Sequence, residues 1–157
     1  MADKTEEYSL DLTLTRSFDA SPDLVFRMFS EAQHMNAWSC PDGFTIVAGS
    51  ADFRPGGNWQ ATMRGPDGKD LRLGGSYREI VPPGRLVFTH AWIEPDGTHG
   101  PETMVTVSIE PIAGKSRLTL HQSGFANAQA RDGHRGGWSE SLDKLERHLR
   151  RLASKAA

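Results

Sequence analysis

Apolar and polar residues alternate near the start of the chain. Three leucines from Leu10 to Leu14 are separated by polar residues, which is the period of two expected of a half-buried strand. This alternation predicts a first strand over residues 8–18. Residues 1–7 are polar, and we expect them to be frayed, as we do residues 153–157 at the other end.

A helical pattern begins after the first strand. Ser21 is a favourable N-cap and Pro22 suits the first helical position. Ser30 and Gln33 have the spacing of a capping box, which predicts a second helix start just after the first helix. Cys40 and the Pro-Asp-Gly sequence after it then end the helical segment. The two predicted helices span residues 22–29 and 31–37.

Residues 43 to 123 have the pattern of a series of strands. Short runs rich in Val, Ile, Thr and aromatic residues are separated by Gly- and Pro-containing turns such as Pro95-Asp96-Gly97. Strands joined by such short turns form an antiparallel meander. The predicted strands are residues 44–50, 57–65, 69–81, 85–94, 102–112 and 115–123.

The last segment carries one apolar stripe at helical spacing, formed by Trp138, Leu142, Leu145, Leu149 and Leu152. An amphipathic helix must bury such a stripe, and the sheet is the only partner large enough. We therefore predict a single α+β domain over residues 1–157. In this helix-grip arrangement, a curved seven-stranded antiparallel sheet wraps around a long C-terminal helix, and two short helices lie between strands one and two. Two such layers cannot fill the space between them evenly, which predicts a pocket.

Composition and charge narrow the classes of function. A net charge of −2 provides no basic field for nucleic acid, and we expect neither nucleic-acid nor membrane binding. No apolar run approaches the roughly 18 residues of a membrane span, and the N-terminal residues lack the apolar stretch of a signal peptide. We therefore expect a cytoplasmic protein. Cys40 is the single cysteine, which excludes an intrachain disulfide and a zinc site built from cysteines alone.

Several stretches, in the order in which they occur, resemble one protein superfamily. One of them is the turn Asp52-Phe53-Arg54-Pro55-Gly56-Gly57, which looks like that family's D-x-R-x-G-G turn. The chain resembles the START-like or SRPBCC (helix-grip) superfamily, and within it the homologues of the activator of the heat-shock chaperone ATPase. The resemblance covers about residues 10–150 and implies a cavity between sheet and helix. The stretches that carry it are residues 16–26, 38–41, 52–57, 77–89, 118–125, 137–138 and 142–145.

Across the superfamily, such cavities hold lipids, sterols, polyketides or aromatic compounds, so the resemblance implies a small apolar molecule as partner. It implies no single reaction and no cofactor, and fold analogy alone cannot supply a substrate. The sequence leaves a homodimer open and does not favour a chaperone as partner. The residues that we expect to line the cavity are Trp38, Phe44, Trp59, Met63, Tyr77, Phe88, His90, Trp92, Trp138 and Leu142.

His90 is the best candidate for chemistry in this set. It shares one face of its predicted strand with Leu86, Phe88 and Trp92, and we expect that face to point toward the helix. A histidine on an apolar wall can bind a ligand or act as an acid or base, although it is more often a satisfied core residue. His121 faces outward if its neighbours Leu118 and Leu120 face inward.

For the other reactive side chains, a structural role is a better interpretation than metal binding or catalysis. The histidines lack metal-ligand spacing, so we expect no metal site. Cys40 has no base near it in sequence and is more consistent with a buried, inert thiol than with a nucleophile. Arg54 and Arg85 sit beside turns and are typical of solvated or loop-bracing arginines.

Three functions are consistent with these features of the sequence. The first is binding of a small hydrophobic or aromatic ligand, which needs only the cavity. The second is an enzyme of the polyketide cyclase, dehydratase or hydrolase type that uses His90, alone or together with Tyr77, as acid/base groups. This function needs two polar groups that converge in the pocket. The third is a co-chaperone-like regulator of a heat-shock ATPase, which needs an exposed patch and a partner chain. We rank them in that order and do not expect catalysis.

Overall fold

Seven strands follow the alternating segments of the sequence in the computed structural model, which describes residues 10–156. The six strands predicted between residues 43 and 123 are confirmed to within one residue at each end. The first strand begins later than predicted within the described residues, and residues 8 and 9 of that prediction lie outside them. The strands are β1 (Leu12–Phe18), β2 (Thr45–Ala51), β3 (Asn58–Arg64), β4 (Asp70–Val81), β5 (Arg85–Ile93), β6 (Thr103–Ile112) and β7 (Lys115–Ser123).

The strands form one antiparallel sheet in the order β1-β7-β6-β5-β4-β3-β2. Strands β2 to β7 follow one another as the predicted meander, because short turns join each strand to the next. Strand β1 pairs with β7, with Leu12 opposite Gln122 and Phe18 opposite Ser116. Since β1 and β2 occupy opposite edges, the helices between them must cross the sheet.

The centre of β4 approaches its neighbours closely. A Cβ atom at Gly74 would lie 2.8 Å from the carbonyl oxygen of Trp59, and one at Gly75 would overlap the carbonyl oxygen of Thr89. The pairing of β4 with β5 also shifts register between Tyr77 and Glu79. Glycines followed by a bulge let a sheet bend sharply. The sheet can therefore curve around the helix at this point.

Two short helices, α1 (Pro22–Ser30) and α2 (Ala32–Trp38), cross from β1 to β2. The hydroxyl of Ser21 accepts a hydrogen bond from the backbone N–H of Leu24 at 3.2 Å, which confirms Ser21 as the N-cap. The predicted capping box at Ser30 is wrong. Ser30 remains helical because the next backbone N–H, that of Glu31, bonds to the carbonyl of Arg27 and closes α1, so Glu31 itself precedes α2.

The gripped helix, α3, extends from Ala128 to Ala156. It begins ten residues before Trp138, and the side chain of Asn127 accepts a hydrogen bond from the N–H of Ala130 at 2.8 Å near its start. The helix also continues through residues 153–156, where the sequence predicts fraying, because Ala and Lys are good helix formers. No helix within residues 10–156 is both long enough and apolar enough to cross a lipid bilayer.

The core lies between the concave face of the sheet and the three helices. Helix α3 contributes Leu142, Leu145 and Leu149, and all three are buried as the stripe predicts. Strands β6 and β7 contribute alternating buried residues, among them Leu118 and Leu120. Helices α1 and α2 cover one side of this core, and the space left beside them forms a cavity.

Candidate ligand-binding site

A cavity of about 430 Å³ lies between the sheet and α3. Its walls come from β3, β4 and β5 on one side and from α3 on the other, while residues of α1, α2, β2 and the loop after α2 border the rest. A volume of this size falls within the range of roughly 300–1,000 Å³ that is typical of small-molecule pockets. The aromatic side chains on the wall are Phe29, Trp59, Tyr77, Phe88, Trp92 and Trp138.

Seven of the ten residues expected to line the cavity lie on its wall. They come from adjacent strands and the helix because side chains of one face recur at every second strand position and every third or fourth helix position. The predicted inward face of β5 is the face that borders the cavity. The seven residues are Trp59, Met63, Tyr77, Phe88, His90, Trp92 and Trp138.

The other three predicted residues lie away from the cavity. Trp38 is fully buried in the core, where its indole N–H donates to the carbonyl of Met28 at 3.0 Å. Leu142 is also fully buried, and its neighbour Ser141 reaches the wall instead. Phe44 lies in the loop before β2, with its ring against the turn at Gly65. In each case the residue type favours burial but does not specify which buried space it enters.

The aromatic wall is held in place by edge-to-face contacts and by one backbone bond. The rings of Trp59 and Phe88 meet at 89° with centroids 5.8 Å apart, and the rings of Tyr77 and Phe88 meet at 68° with centroids 6.4 Å apart. The indole N–H of Trp59 donates to the carbonyl of Thr89 at 3.1 Å. Such arrangements favour one orientation of each ring, so the wall is largely preformed.

A chain of buried polar groups joins α3 to the sheet beside the cavity. The indole N–H of Trp138 donates to Oε1 of Gln122 at 2.8 Å, and the amide of Gln122 donates to the hydroxyl of Thr103 at 2.8 Å. That hydroxyl donates in turn to the carbonyl of His90 at 3.1 Å. Because Gln122 is completely buried and every link is satisfied, this chain fixes Trp138 on the wall.

His90 is buried on this wall and its ring contacts aromatic groups. The centroid of the ring lies 5.5 Å from that of Trp92 and 5.2 Å from that of His134 on α3. Burial, helped by the proximity of His134, lowers the pKa of His90 to about 3. The imidazole is therefore neutral near pH 7, so it can offer a hydrogen bond but not a positive charge.

His134 is a cavity residue that the sequence interpretation missed. Its Nδ1 lies 2.9 Å from the carbonyl of Ala130. A carbonyl only accepts, so Nδ1 carries the proton, and in the neutral ring Nε2 is left as an acceptor. This Nε2 is buried and has no hydrogen-bond partner among the described residues. The sequence did hold one indication of this role, because His134 lies one helical turn before Trp138 and so falls on the same face of the helix.

Tyr77 supplies a phenol hydroxyl to the wall. It is buried on β4, and burial raises the pKa of its hydroxyl to about 12. The phenol therefore stays protonated across the physiological range. Together, Tyr77 and His90 give the wall two groups that can form hydrogen bonds and are uncharged near pH 7.

The remaining residues considered for chemistry lie elsewhere. His121 is on the outer face, as the burial of Leu118 and Leu120 requires, and its Nε2 lies 3.1 Å from a carboxylate oxygen of Asp11. Arg54 and Arg85 form exposed ion pairs with nearby carboxylates, at 2.7 and 3.1 Å. Both arginines thus brace local structure.

Cys40 is buried, as expected, but it has a basic neighbour that is distant in sequence. The ammonium of Lys144 on α3 lies 3.2 Å from the sulfur and 3.0 Å from the carbonyl of Cys40. The same ammonium also donates to the carbonyls of Pro41 and Phe44, both at 3.3 Å. Lys144 therefore serves to bind the loop after α2.

The curved sheet, the gripped helix and the apolar cavity between them define a helix-grip α+β protein. A known family matches over residues 19–150, and its description is "Activator of Hsp90 ATPase homolog 1-like protein". The chain belongs to this family. The resemblance seen in the sequence is thereby confirmed for the fold and for this branch of the superfamily.

Solved structures share the fold over most of the chain. The AHSA1 protein of Silicibacter pomeroyi is 30% identical with a TM-score of 0.82, and the alignment covers 88% of this chain and 96% of that one. A protein of Chromobacterium violaceum is 25% identical with a TM-score of 0.77, covering 87% and 94%. A protein of Nitrosomonas europaea, 23% identical with a TM-score of 0.78 and coverage of 92% and 96%, is similar in fold alone. No curated protein matches the chain.

Proposed function

We propose that this protein binds a small hydrophobic or aromatic molecule in the cavity between the sheet and α3. The observation that carries the proposal is the preformed aromatic wall around a space of about 430 Å³. Three of the four tryptophans of the chain, Trp59, Trp92 and Trp138, line this space. Apolar pockets with few polar groups are typical of small-molecule sites, and rigid walls reduce the entropy cost of binding.

The wall tryptophans provide a direct test. A library of uncharged aromatic and lipid-like compounds is titrated while indole fluorescence is followed, and hits are checked by the rise in melting temperature. Native mass spectrometry of the freshly purified protein adds a search for a co-purified molecule. We expect saturable quenching by a subset of compounds, whereas a complete lack of saturable binding would contradict the proposal.

A matched pair of variants locates the binding. Ala61 lines the cavity, and Thr62 is the next residue on β3 and does not. We expect Ala61→Trp to fill the space and weaken binding at least tenfold. Thr62→Trp, on the opposite face of the strand, should leave affinity within twofold. Equal loss in both variants would place the binding elsewhere.

Acid–base catalysis is the second candidate, and the close pair His90 and His134 favours it. Two imidazoles whose centroids lie 5.2 Å apart could contact one substrate, as the enzyme hypothesis requires. The low pKa of His90 weakens this case, because its protonated form is scarce near neutral pH. Any turnover found in a hydrolase and dehydratase screen should vanish in His90→Gln if the ring takes part. Unchanged turnover in that variant would exclude this role.

Regulation of a heat-shock ATPase takes third place, supported by the description of the family. The test adds the purified protein to a heat-shock ATPase and measures hydrolysis. A saturable change in rate would support it, and an unchanged rate across a wide concentration range would argue against it.

A further inference from the structure

In the neutral ring of His134, the buried Nε2 is an acceptor, and it has no partner among the described residues. The hydrogen bond between Nδ1 and the Ala130 carbonyl fixes the tautomer, so the acceptor cannot be exchanged for a donor by moving the proton between the nitrogens. A buried polar atom left unsatisfied costs free energy, and such atoms are rare in native structures. A ligand that donates a hydrogen bond to Nε2 would remove this cost.

The surroundings of His134 restrict what the ligand can carry. The ring centroids of Phe125, His90 and Trp92 lie 4.9, 5.2 and 5.8 Å from that of His134. None of the described residues that line the cavity is Lys, Arg, Asp or Glu. A carboxylate or an ammonium that entered this space would lose its hydration without gaining an opposite charge.

We propose that the cavity selects an uncharged ring compound that carries a hydroxyl group, and that Nε2 of His134 accepts the hydrogen bond from that hydroxyl. The inference rests on the proposed binding function and deepens it by naming the ligand class and the residue that selects it. The aromatic wall holds the ring system, and His134 sets the position of the hydroxyl. Molecules of similar shape that lack a donor, or that carry a charge, bind more weakly.

Three probes on one scaffold test this selection: 2-naphthol, 2-methoxynaphthalene and 2-naphthoate. At pH 7 we expect 2-naphthol to bind about tenfold tighter than the methyl ether, as one satisfied acceptor predicts. The charged naphthoate should bind more weakly than either. Dissociation constants come from tryptophan quenching and are confirmed by calorimetry.

Variants at position 134 assign the selectivity to the imidazole. His134→Leu removes the acceptor and should reduce the preference for naphthol over its ether to about one. His134→Gln places an amide oxygen near the same point and should restore part of the preference. His121→Leu, on the outer face, is the matched control and should leave the preference unchanged.

A second measurement keeps the test valid if His134→Leu fails to fold. In the unaltered protein, the nitrogen chemical shift of Nε2 should change on adding 2-naphthol in the direction of an accepted hydrogen bond. The methyl ether should not produce that change. Equal affinity for naphthol and ether, or a preference that survives in folded His134→Leu, overturns the inference. Lack of binding by all three probes and by the wider library contradicts the proposed function itself.

Discussion

Nδ1 of His34 on α2 lies 2.9 Å from Nε2 of His148 on α3, so two imidazoles join these helices directly. The contacts that flank this pair determine which ring nitrogen of each histidine carries the proton. Arg151 donates to Nδ1 of His148 at 3.4 Å, which leaves the Nε2–H of His148 to donate to His34. The other nitrogen of His34, Nε2, then faces the carboxylate of Glu31 at 3.5 Å. The pair holds α2, which carries part of the cavity wall, to the gripped helix.

Acidification should weaken this contact between the helices. Burial lowers the pKa of His148 from its ordinary value of 6.5, and electrostatic interactions with His34, Arg151 and Lys155 lower it further. A histidine whose folded pKa is lowered contributes fully above pH 6.5 and loses that contribution as the pH falls through its folded pKa. Urea unfolding measures the free energy of unfolding at pH 8 and at pH 5.5. The decrease from the higher to the lower pH should be smaller in His148→Gln than in the unaltered protein.

The control for this prediction is His99→Gln, because His99 is exposed in the loop after β5. That variant should show the same loss between pH 8 and pH 5.5 as the unaltered protein. If His148→Gln also keeps the full loss, the histidine pair does not contribute to the pH dependence.

His90 should remain neutral well below the pH at which ordinary histidines titrate. Its folded pKa of about 3 lies below its ordinary value of 6.5, so the unfolded chain takes up the proton first and stability falls with acid between these values. The linkage predicts that about 2 kcal/mol of stability is lost between pH 7 and pH 5 on account of this one group. His90→Phe should lack that part of the loss, and the imidazole carbon shifts of His90 should stay constant down to pH 5. A midpoint near pH 6 in those shifts would show that the ring is not held neutral by burial.

The face of His90 was predictable from the sequence because side chains along a strand alternate between its two faces. Leu86, Phe88, His90 and Trp92 alternate with smaller residues, and the period of two does not depend on distant contacts. The same holds for the outward position of His121. The stripe from Trp138 to Leu152 likewise identified the gripped helix, since only one helix carries a long apolar stripe.

The site residues that escaped prediction depend on contacts across the fold. His134 continues the stripe by one turn, but Gly133, Gly136 and Gly137 interrupt the helical pattern there. The neighbours Cys40 and Lys144 are 104 residues apart, and local spacing cannot reveal such a pair. Leu142 was assigned to the cavity because the helical period identifies a buried face without separating core from cavity.

Lys144 should stabilise the loop that follows α2. Its ammonium donates to three backbone carbonyls of that loop, those of Cys40, Pro41 and Phe44. In Lys144→Met, these partly buried acceptors lose a charge-assisted donor, and we expect the free energy of unfolding to fall by about 2 kcal/mol. Urea unfolding at pH 7 measures the change.

The matched control uses another lysine of α3. Lys155 is exposed in the last turn, and Lys155→Met should change stability by no more than about 0.5 kcal/mol. An equally small change in Lys144→Met would show that water replaces the lysine without cost. Because Ser39 and Pro41 border the cavity, a loosened loop should also accelerate ligand release.

Two glycines should respond to alanine in opposite directions. At Gly75 on β4, an added methyl group would overlap the carbonyl oxygen of Thr89, and backbone atoms cannot move aside as a side chain can. We expect Gly75→Ala to lower the free energy of unfolding by about 3 kcal/mol or more and to change the curvature of the wall that carries Tyr77 and His90.

At Gly136 on α3, the added methyl group would meet nothing within 4 Å, so Gly136→Ala should raise the free energy of unfolding by about 1 kcal/mol through helix propensity. Urea unfolding curves of Gly75→Ala and Gly136→Ala, measured beside the unaltered protein, give both changes. A Gly75→Ala variant that is as stable as the unaltered protein and binds ligand with unaltered affinity would show that the close approach of β4 and β5 is not needed to shape the cavity.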